Sequence, residues 1–471
     1  MKLLYRYETK GIQDWILGSN KLRDLAGGSA LIESLTHAAA TAAGEFGAEI
    51  IQATSGAMTA VFPNRECLQH FAGEWTMQVA FRAPGLQLVQ AWVEIKEGLS
   101  GLFAALAERR NQVSLLEIEA NPWVLRAGQS GLPALPTPRS IRTVARNTAL
   151  DQVALAKERA RRDVHYQSLD VTGGRPWDAF EERLDCWPDG PIAVVHADGS
   201  GVGQRLIQTK VDALHRFSSE LREASLAATE AAVASIGCDE ELVHARPVVS
   251  AGDDLTYILL GRDARKFCEA WLRTWEAETE KRKAAFGGVG FNGGAGIVVL
   301  NRGYPFSRAY ELAEQLCSAA KNELKRLGRA ASILAIRKVT NSLVEDITEH
   351  TSGWIVSKST ESQFLDKLVQ AVGSLPRGTL RTWLDHSQRE NGQAVAEKLW
   401  SRAREVADSD LWSRLEEALA DVGANPGDGL YTNVEPGSPA FPLGSTPNPT
   451  PLADALTLCA VEEREVVGCQ S

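Results

Sequence analysis

Two adjacent carboxylates, Asp253 and Asp254, stand in "SAGDDLTYILL" (250–260) between a small-residue turn and an apolar strand. Like charges that close repel, so a strand rarely opens on such a pair without neutralisation. The residues alone admit two readings: a polar hairpin turn, or ligands for a divalent metal. A third carboxylate, Asp198, ends the apolar stretch "PIAVVHAD", and "DGSGVG" follows with Gly199, Ser200, Gly201 and Gly203. Three crowded carboxylates raise one another's pKa unless cations neutralise them. Two Mg²⁺ or Mn²⁺ ions about 3.5–4 Å apart are the usual solution in nucleotidyl transfer, one activating a hydroxyl and both holding a triphosphate. Oxygen ligands suit those ions and suit zinc poorly. Glycines beside the ligands, Gly252 of the turn included, permit close backbone approach, and amides opening the next helix point at phosphate. Lys321, on a later helix, reads either as a flexible point charge for terminal phosphates or as a surface lysine. His196 shares a strand face with Asp198 by alternation, as its support or as a satisfied structural histidine. The His-Asp dipeptide of a metal-dependent phosphohydrolase, nucleophile elbows and P-loop lysine motifs are absent.

The elements that must position these residues recur twice. "KLLYRYE", a helix over "GSALIESLTHAAATAAGEF", "AEIIQAT", "SGAMTAVFP", a helix over "RECLQHFAGEWTMQVAF" and "LQLVQAWVEI" run β-α-β-β-α-β, the ferredoxin-like order. The order returns between 191 and 300, with a long helix over 208–236, "ELVHARPVV", "LTYILL", an amphipathic helix from 262 and "GFNGGAGIVVL". An extra helix over "FSRAYELAEQLCSAAKNELK" and a strand in "ASILAIRK" follow. Laid over each other, the copies place Glu8 opposite Asp198, and Ala57 and Met58 opposite Asp253 and Asp254. Only the second copy carries the full carboxylate cluster, which favours a specific task there. The first strand and the hairpin's second strand lie side by side in this topology, so all three carboxylates meet at one sheet edge.

The expected fold class is α+β, with a degenerate first domain (1–98), a helical linker (99–190), a second ferredoxin-like domain (191–340) and a C-terminal helical domain (341–471). A loop over 425–451 holds seven of the nineteen prolines and is expected to lack regular structure. A closing helix over "LADALTLCAVEEREVV" is expected to dock on something. The basic stretch Arg139, Arg142, Arg146, Lys157, Arg159, Arg161 and Arg162 reads as a solvated helix face, or as a contact for RNA or an acidic partner.

Composition narrows the class. Of 471 residues, 44% are apolar and 23% charged, and 50 basic against 60 acidic side chains give a net charge of -10. That balance argues against a generally polybasic nucleic-acid coat. Seven scattered cysteines with no CxxC pair give no zinc ribbon or disulfide framework and point to a reducing cytoplasm. No apolar run reaches 18 residues, and the N-terminus lacks a signal-peptide pattern, so no membrane role is expected.

Together, "IQDWILGSNKLRDLAGGSALIESL", "VVHADGSGVGQ", "VVSAGDDLTYIL" and "YPFSRAYELAEQLCSAAK" resemble the large subunit of type III CRISPR interference complexes, the palm-domain polymerase-cyclase. The resemblance implies two palm domains and a cytoplasmic synthase making cyclic oligoadenylates from ATP in antiviral defence. It implies as partners CRISPR RNA, sister subunits and target RNA as an activator. Carried over, Asp253 and Asp254 take the family's metal-binding pair, Asp198 its first-strand acidic residue and Lys321 its phosphate-facing lysine. The sequence departs at Ala251, where the family's first motif glycine stands, and at Ser200, often asparagine there. It shows neither the HD nuclease domain nor the usual zinc cysteines, so neither DNA cleavage nor zinc is expected. Two other readings stand beside it: a non-catalytic scaffold binding guide RNA and sister subunits, and a diguanylate-cyclase-like enzyme. The latter fits less well, because the hairpin continues Asp-Asp-Leu instead of Asp-Glu-Phe.

Overall fold

A computed structural model describes residues 2–18, 22–54, 56–112, 151–163, 190–236, 238–239, 242–328, 330–339, 351–356, 359–373, 409–421 and 440–443, with a few isolated positions between. The first copy consists of β1 (Leu3–Lys10), α1 (Ile12–Leu17), α2 (Leu22–Glu45), β2 (Glu49–Thr54), β3 (Ala57–Phe62), α3 (Arg65–Arg82) and β4 (Gln87–Glu94). Its antiparallel sheet has the order β2-β3-β1-β4, that of a ferredoxin-like unit. Tyr5, Tyr7, Met58 and Phe62 line one face against Phe71 and Trp75 of α3. The other face packs on α4 (Gly98–Gln112) through Leu4, Val61, Leu99, Leu102 and Leu106. α5 (Gln152–Asp163) lies on α2, so both described helices of 99–190 pack on elements of the first copy.

The second copy runs β5 (Ile192–Gly199), α6 (Val202–Gln208), α7 (Leu214–Ser235), a small ribbon of β6 (Cys238–Asp239) and β7 (Leu242–Val243), β8 (Ala245–Ala251), β9 (Asp254–Leu260), α8 (Ala264–Lys281) and β10 (Gly293–Leu300). The helix expected over 208–236 is broken at Thr209 and Lys210, both extended, and begins anew at Leu214. α9 (Phe306–Arg326), β11 (Ile333–Lys338), β12 (Ser352–Ile355), α10 (Ser359–Gly373), α11 (Ser409–Asp421) and β13 (Ala440–Pro442) complete the described chain. The sheet order is β13-β12-β11-β10-β5-β9-β8, the ferredoxin-like 4-1-3-2 pattern lengthened on one side.

Two expectations fall here. The segment 341–471 is not purely helical, because β12 and β13 extend the second sheet while α10 and α11 share its core. The proline-rich loop does hold regular structure: Pro442 pairs with Ser352 at the sheet edge, a position where a missing N–H costs no ladder bond. The closing helix lies outside the described residues except Ala455 and Leu458, both helical and buried in the second core.

The second sheet is covered on both faces. Val195, Ala197 and Tyr257 face α7 and α8, while Val194, Ile258 and Val298 face α9 and share a core with α2 of the first copy. Two glycines set how closely α9 approaches. A Cβ on Gly296 would sit 2.1 Å from the Ala313 carbonyl, and one on Gly294 would sit 2.4 Å from Cγ of Lys321. Among the described residues no helix is long and apolar enough to cross a membrane.

Candidate active site

Strand register settles how the carboxylates meet. β5 and β9 are neighbours, and Asp198 pairs directly with Asp254, His196 with Thr256 and Val194 with Ile258. These residues all face α9, because alternate strand residues share a face. Asp253 occupies the two-residue turn between β8 and β9, where its carbonyl accepts from the Gly199 N–H at 3.1 Å. In the first copy Glu8 pairs with Ala57, so Ala57 corresponds to Asp254 and Gly56 to Asp253. This corrects the sequence overlay by one residue. That overlay matched the two glycines, but Gly56 (φ 74°) is second in its turn and Gly252 (φ 66°) is first. Ala251 is the last residue of β8, paired with Asp254 in extended backbone, so the missing motif glycine costs nothing.

α9 presents Tyr310, Glu314, Cys317 and Lys321 at helical spacing toward this edge. The Lys321 ammonium donates to Asp198 Oδ2 and, at 3.1 Å, to the Gly199 carbonyl. Burial draws the lysine's pKa down, and Asp198, Cys317 and Asp253 more than offset that, so the net shift is upward. His196 Nδ1 lies 3.1 Å from Thr256 Oγ1 and 3.5 Å from Asp254 Oδ1, with the Tyr310 ring edge-on at 5.6 Å. Burial pushes the imidazole down to about 4 against the pull of Asp198, so it is neutral at pH 7 and brings Asp254 no positive charge.

Asp254 is left exposed electrically though not sterically. Its Oδ1 is buried without a hydrogen-bond partner, while the side chain as a whole keeps 32% exposure on the open side. Burial, then Asp198, Asp253 and Glu314, hold its carboxyl well above the ordinary range. Burial and Asp198 push Asp253 up to about 7. Glu314 is raised too, by burial and then by Asp14 of α1 in the first copy. Sequence reasoning missed Tyr310, Glu314 and Asp14; the available signal for the first two was helical spacing, Tyr310 lying seven residues before Cys317 and Glu314 seven before Lys321.

The donor chemistry fits a hard divalent cation: carboxylate oxygens, one of them orphaned, with excess negative charge. A closed cage is not formed, since among the described residues no three His, Cys, Asp or Glu side chains are arranged to hold an ion. Asp198 is engaged by Lys321, and Asp253 is tied into its turn.

The glycine run divides by role. The Gly199 and Ser200 N–H groups are spent on the carbonyls of Asp253 and Asn292, and a Cβ on Gly199 would strike Trp275 and Asp253. Gly199 is therefore a packing position, and neither of these two amides is free to face phosphate. At Gly201, Gly203 and Gly252 a Cβ would meet nothing within 4 Å, which leaves backbone open to a ligand. Lys157 is a second correction. It is 1% exposed and donates to the carbonyls of Trp15 and, at 3.1 Å, Ile16, so it closes the C-terminal end of α1 and touches no solvent-borne RNA. Arg159 is exposed, Arg161 and Arg162 lie on the last turn of α5, and Arg139, Arg142 and Arg146 lie outside the described residues. A cavity of about 430 Å³ between the copies, lined by Lys2, Glu49, Ile95, Asp212 and His215 among others, includes none of the carboxylates at the sheet edge.

The first copy shows what the edge looks like when neutralised internally. Arg6, at the position of His196, donates to Glu8 at 2.8 Å and to Thr59 at 2.7 Å, with its guanidinium 5.2 Å from the Phe103 ring centroid.

No model of a known protein family matches the chain, and no curated protein matches it in sequence. Its fold is similar to solved structures of a Csm1-Csm4 cassette. The cassette in complex with cA4 aligns with a TM-score of 0.57 at 13% identity, over 98% of this chain and 70% of that one. The cassette in complex with AMPPNP gives 0.56 at 15% identity, again over 98% and 70%. The Csm1-Csm4 subcomplex of the type III-A CRISPR-Csm interference complex gives 0.54 at 14%, with the same coverage. At these identities the likeness is one of fold, and it agrees with the resemblance read from the sequence: over nearly its whole length this chain is built like Csm1.

Proposed function

We propose that this chain is a metal-dependent nucleotidyltransferase of type III CRISPR defence that joins ATP into cyclic oligoadenylates. The observation that carries the reading is Asp254: a buried carboxylate oxygen without a hydrogen-bond partner, directly paired across the strands with Asp198. The fold supports it, since the similar Csm1-Csm4 structures were solved with AMPPNP, one ATP, cA3 and cA4. Asp254, Asp198 and Asp253 would hold Mg²⁺ or Mn²⁺, which supplies Lewis-acid activation of a hydroxyl and charge for the triphosphate. In the reaction a ribose hydroxyl oxygen of one ATP bonds to the α-phosphorus of another. The bond from that phosphorus to the β-phosphate oxygen breaks, pyrophosphate leaves and the hydroxyl proton passes to solvent. The backbone at Gly201, Gly203 and Gly252 is open to lie against the phosphates, and Lys321 reaches the same edge from α9. His196, held neutral, keeps the strand face on which Asp198 and Asp254 sit in place. Exposed Arg159 is the described residue of the basic stretch that would meet RNA or a sister subunit.

The test is product analysis by mass spectrometry after incubation with ATP and Mn²⁺, beside an Asp253→Asn, Asp254→Asn variant. Oligoadenylates from the unmodified protein alone are expected. If no product forms with target RNA and sister subunits supplied, and neither Mn²⁺ nor ATP binds, the chain is a scaffold.

A further inference from the structure

Lys321 does more in this structure than wait for phosphate. Its stem crosses β10 in a slot that exists because residue 294 is glycine: a Cβ there would lie 2.4 Å from Lys321 Cγ and 2.7 Å from Cδ. At the end of that slot the ammonium meets Asp198 Oδ2 and the Gly199 carbonyl, both at the tip of the strand that carries the ligand. The contact is cross-element, since 123 residues separate the partners, and it is sheltered, with side-chain exposures of 21% and 35%. The same sheet edge leaves Asp254 Oδ1 without a hydrogen-bond partner. One fixed cation therefore serves one of the carboxylates that a divalent ion would need.

We propose that Lys321 is a resident counter-cation, competing with the divalent ion for Asp198, so that metal entry and release of the lysine toward the triphosphate are one exchange. The idea rests on the metal reading given above. In the metal-free chain the lysine keeps the crowded edge from repelling itself apart. When a divalent ion takes Asp198, the ammonium loses its partner and is freed for phosphate, so metal arrival and phosphate capture are coupled through a single carboxylate. Affinity for metal alone is held down, and affinity for metal together with triphosphate is restored.

The test uses the full chain, Lys321→Met, and Mn²⁺ alone at pH 8, with free Mn²⁺ followed by electron paramagnetic resonance. Methionine keeps the unbranched stem that fits over Gly294, and Lys321→Gln is the second variant should it misfold; circular dichroism and melting establish which to use. The expected result is Mn²⁺ binding on the order of tenfold tighter than in the unmodified protein, the worth of one charge-assisted hydrogen bond no longer broken. ATP should add less to Mn²⁺ affinity in the variant than in the unmodified protein. Equal or weaker Mn²⁺ binding in the folded variant, with the unmodified protein still binding, overturns the counter-cation and leaves the metal reading intact. Absence of Mn²⁺ binding in both overturns the two together.

Discussion

Replacing Asp253 by asparagine is expected to stabilise the metal-free protein, and only above the acidic range. An aspartate ordinarily releases its proton near pH 3.8, whereas burial and Asp198 hold Asp253 protonated up to about pH 7. The folded state therefore binds more protons than the unfolded state between those values, and stability falls as pH rises through that window. Above pH 7 the loss is complete and constant. A displacement of about 3 units, at about 1.4 kcal/mol each, corresponds to roughly 4 kcal/mol. Partial exposure of the side chain screens this, and about 2–3 kcal/mol is the expected gain from Asp253→Asn at pH 8. The assay is thermal and urea denaturation in EDTA at pH 4 and pH 8. The variant should match the unmodified protein at pH 4 and exceed it at pH 8. Mg²⁺ at pH 8 should raise the unmodified protein more than the variant. A variant no more stable at pH 8, or equally more stable at both pH values, would refute the account of the crowded edge.

The same geometry predicts three other outcomes. Gly296→Ala, whose Cβ would fall 2.1 Å from a backbone carbonyl of α9, should cost about 1–3 kcal/mol or more and reduce product formation by moving Lys321; Gly73→Ala in exposed α3, with open space around it, should instead gain roughly 0.5–1 kcal/mol, and melting curves compare the two. Arg6→Ala should cost about 1–3 kcal/mol by removing the Arg6 donor from Glu8, with side-chain exposures of 10% and 11%, and the Arg6→Ala, Glu8→Ala double variant should recover part of that in urea denaturation. Lys157→Ala should cost roughly 2–4 kcal/mol and speed hydrogen exchange in α1, because two carbonyls at its end lose their donor.

What could be read in the sequence was what depends on period and order. The ferredoxin-like duplication followed from alternation and helix spacing, and the meeting of Asp198 with Asp254 followed from the topology once the duplication was seen. Quantities set by distance were hidden. The glycine overlay slipped by one residue because the two turns place their positive-φ glycine differently, and composition does not encode which turn position a glycine takes. Lys157 looked like one of a run of surface cations because burial by a distant helix leaves no local mark. Gly199 looked like part of a phosphate loop, although its lack of a side chain answers to Trp275 and Asp253 behind it. Asp14 of α1 acts electrostatically on Glu314 of α9 across 300 residues of sequence, which no local pattern encodes.

The two palms pose the same electrostatic problem and solve it differently. Each has an acidic residue near the end of its first strand, Glu8 or Asp198, facing the helix that follows the fourth strand. In the first palm the residue two positions earlier is Arg6, which neutralises Glu8 and is completed by Thr59, so nothing further is needed there. In the second palm that position is His196, buried and neutral, and two more carboxylates are added at the turn. Among the described residues Lys321 is the cation in contact with these acidic groups, and the crowding is otherwise relieved by holding protons on Asp253 and Asp254, which an incoming cation would displace. For stability alone the arginine solution would serve both copies, since a buried charge lacking a partner costs several kcal/mol. The crowded edge kept in one copy, with glycine backbone left open beside it at residues 201, 203 and 252, is the arrangement that the proposed metal and triphosphate site would need.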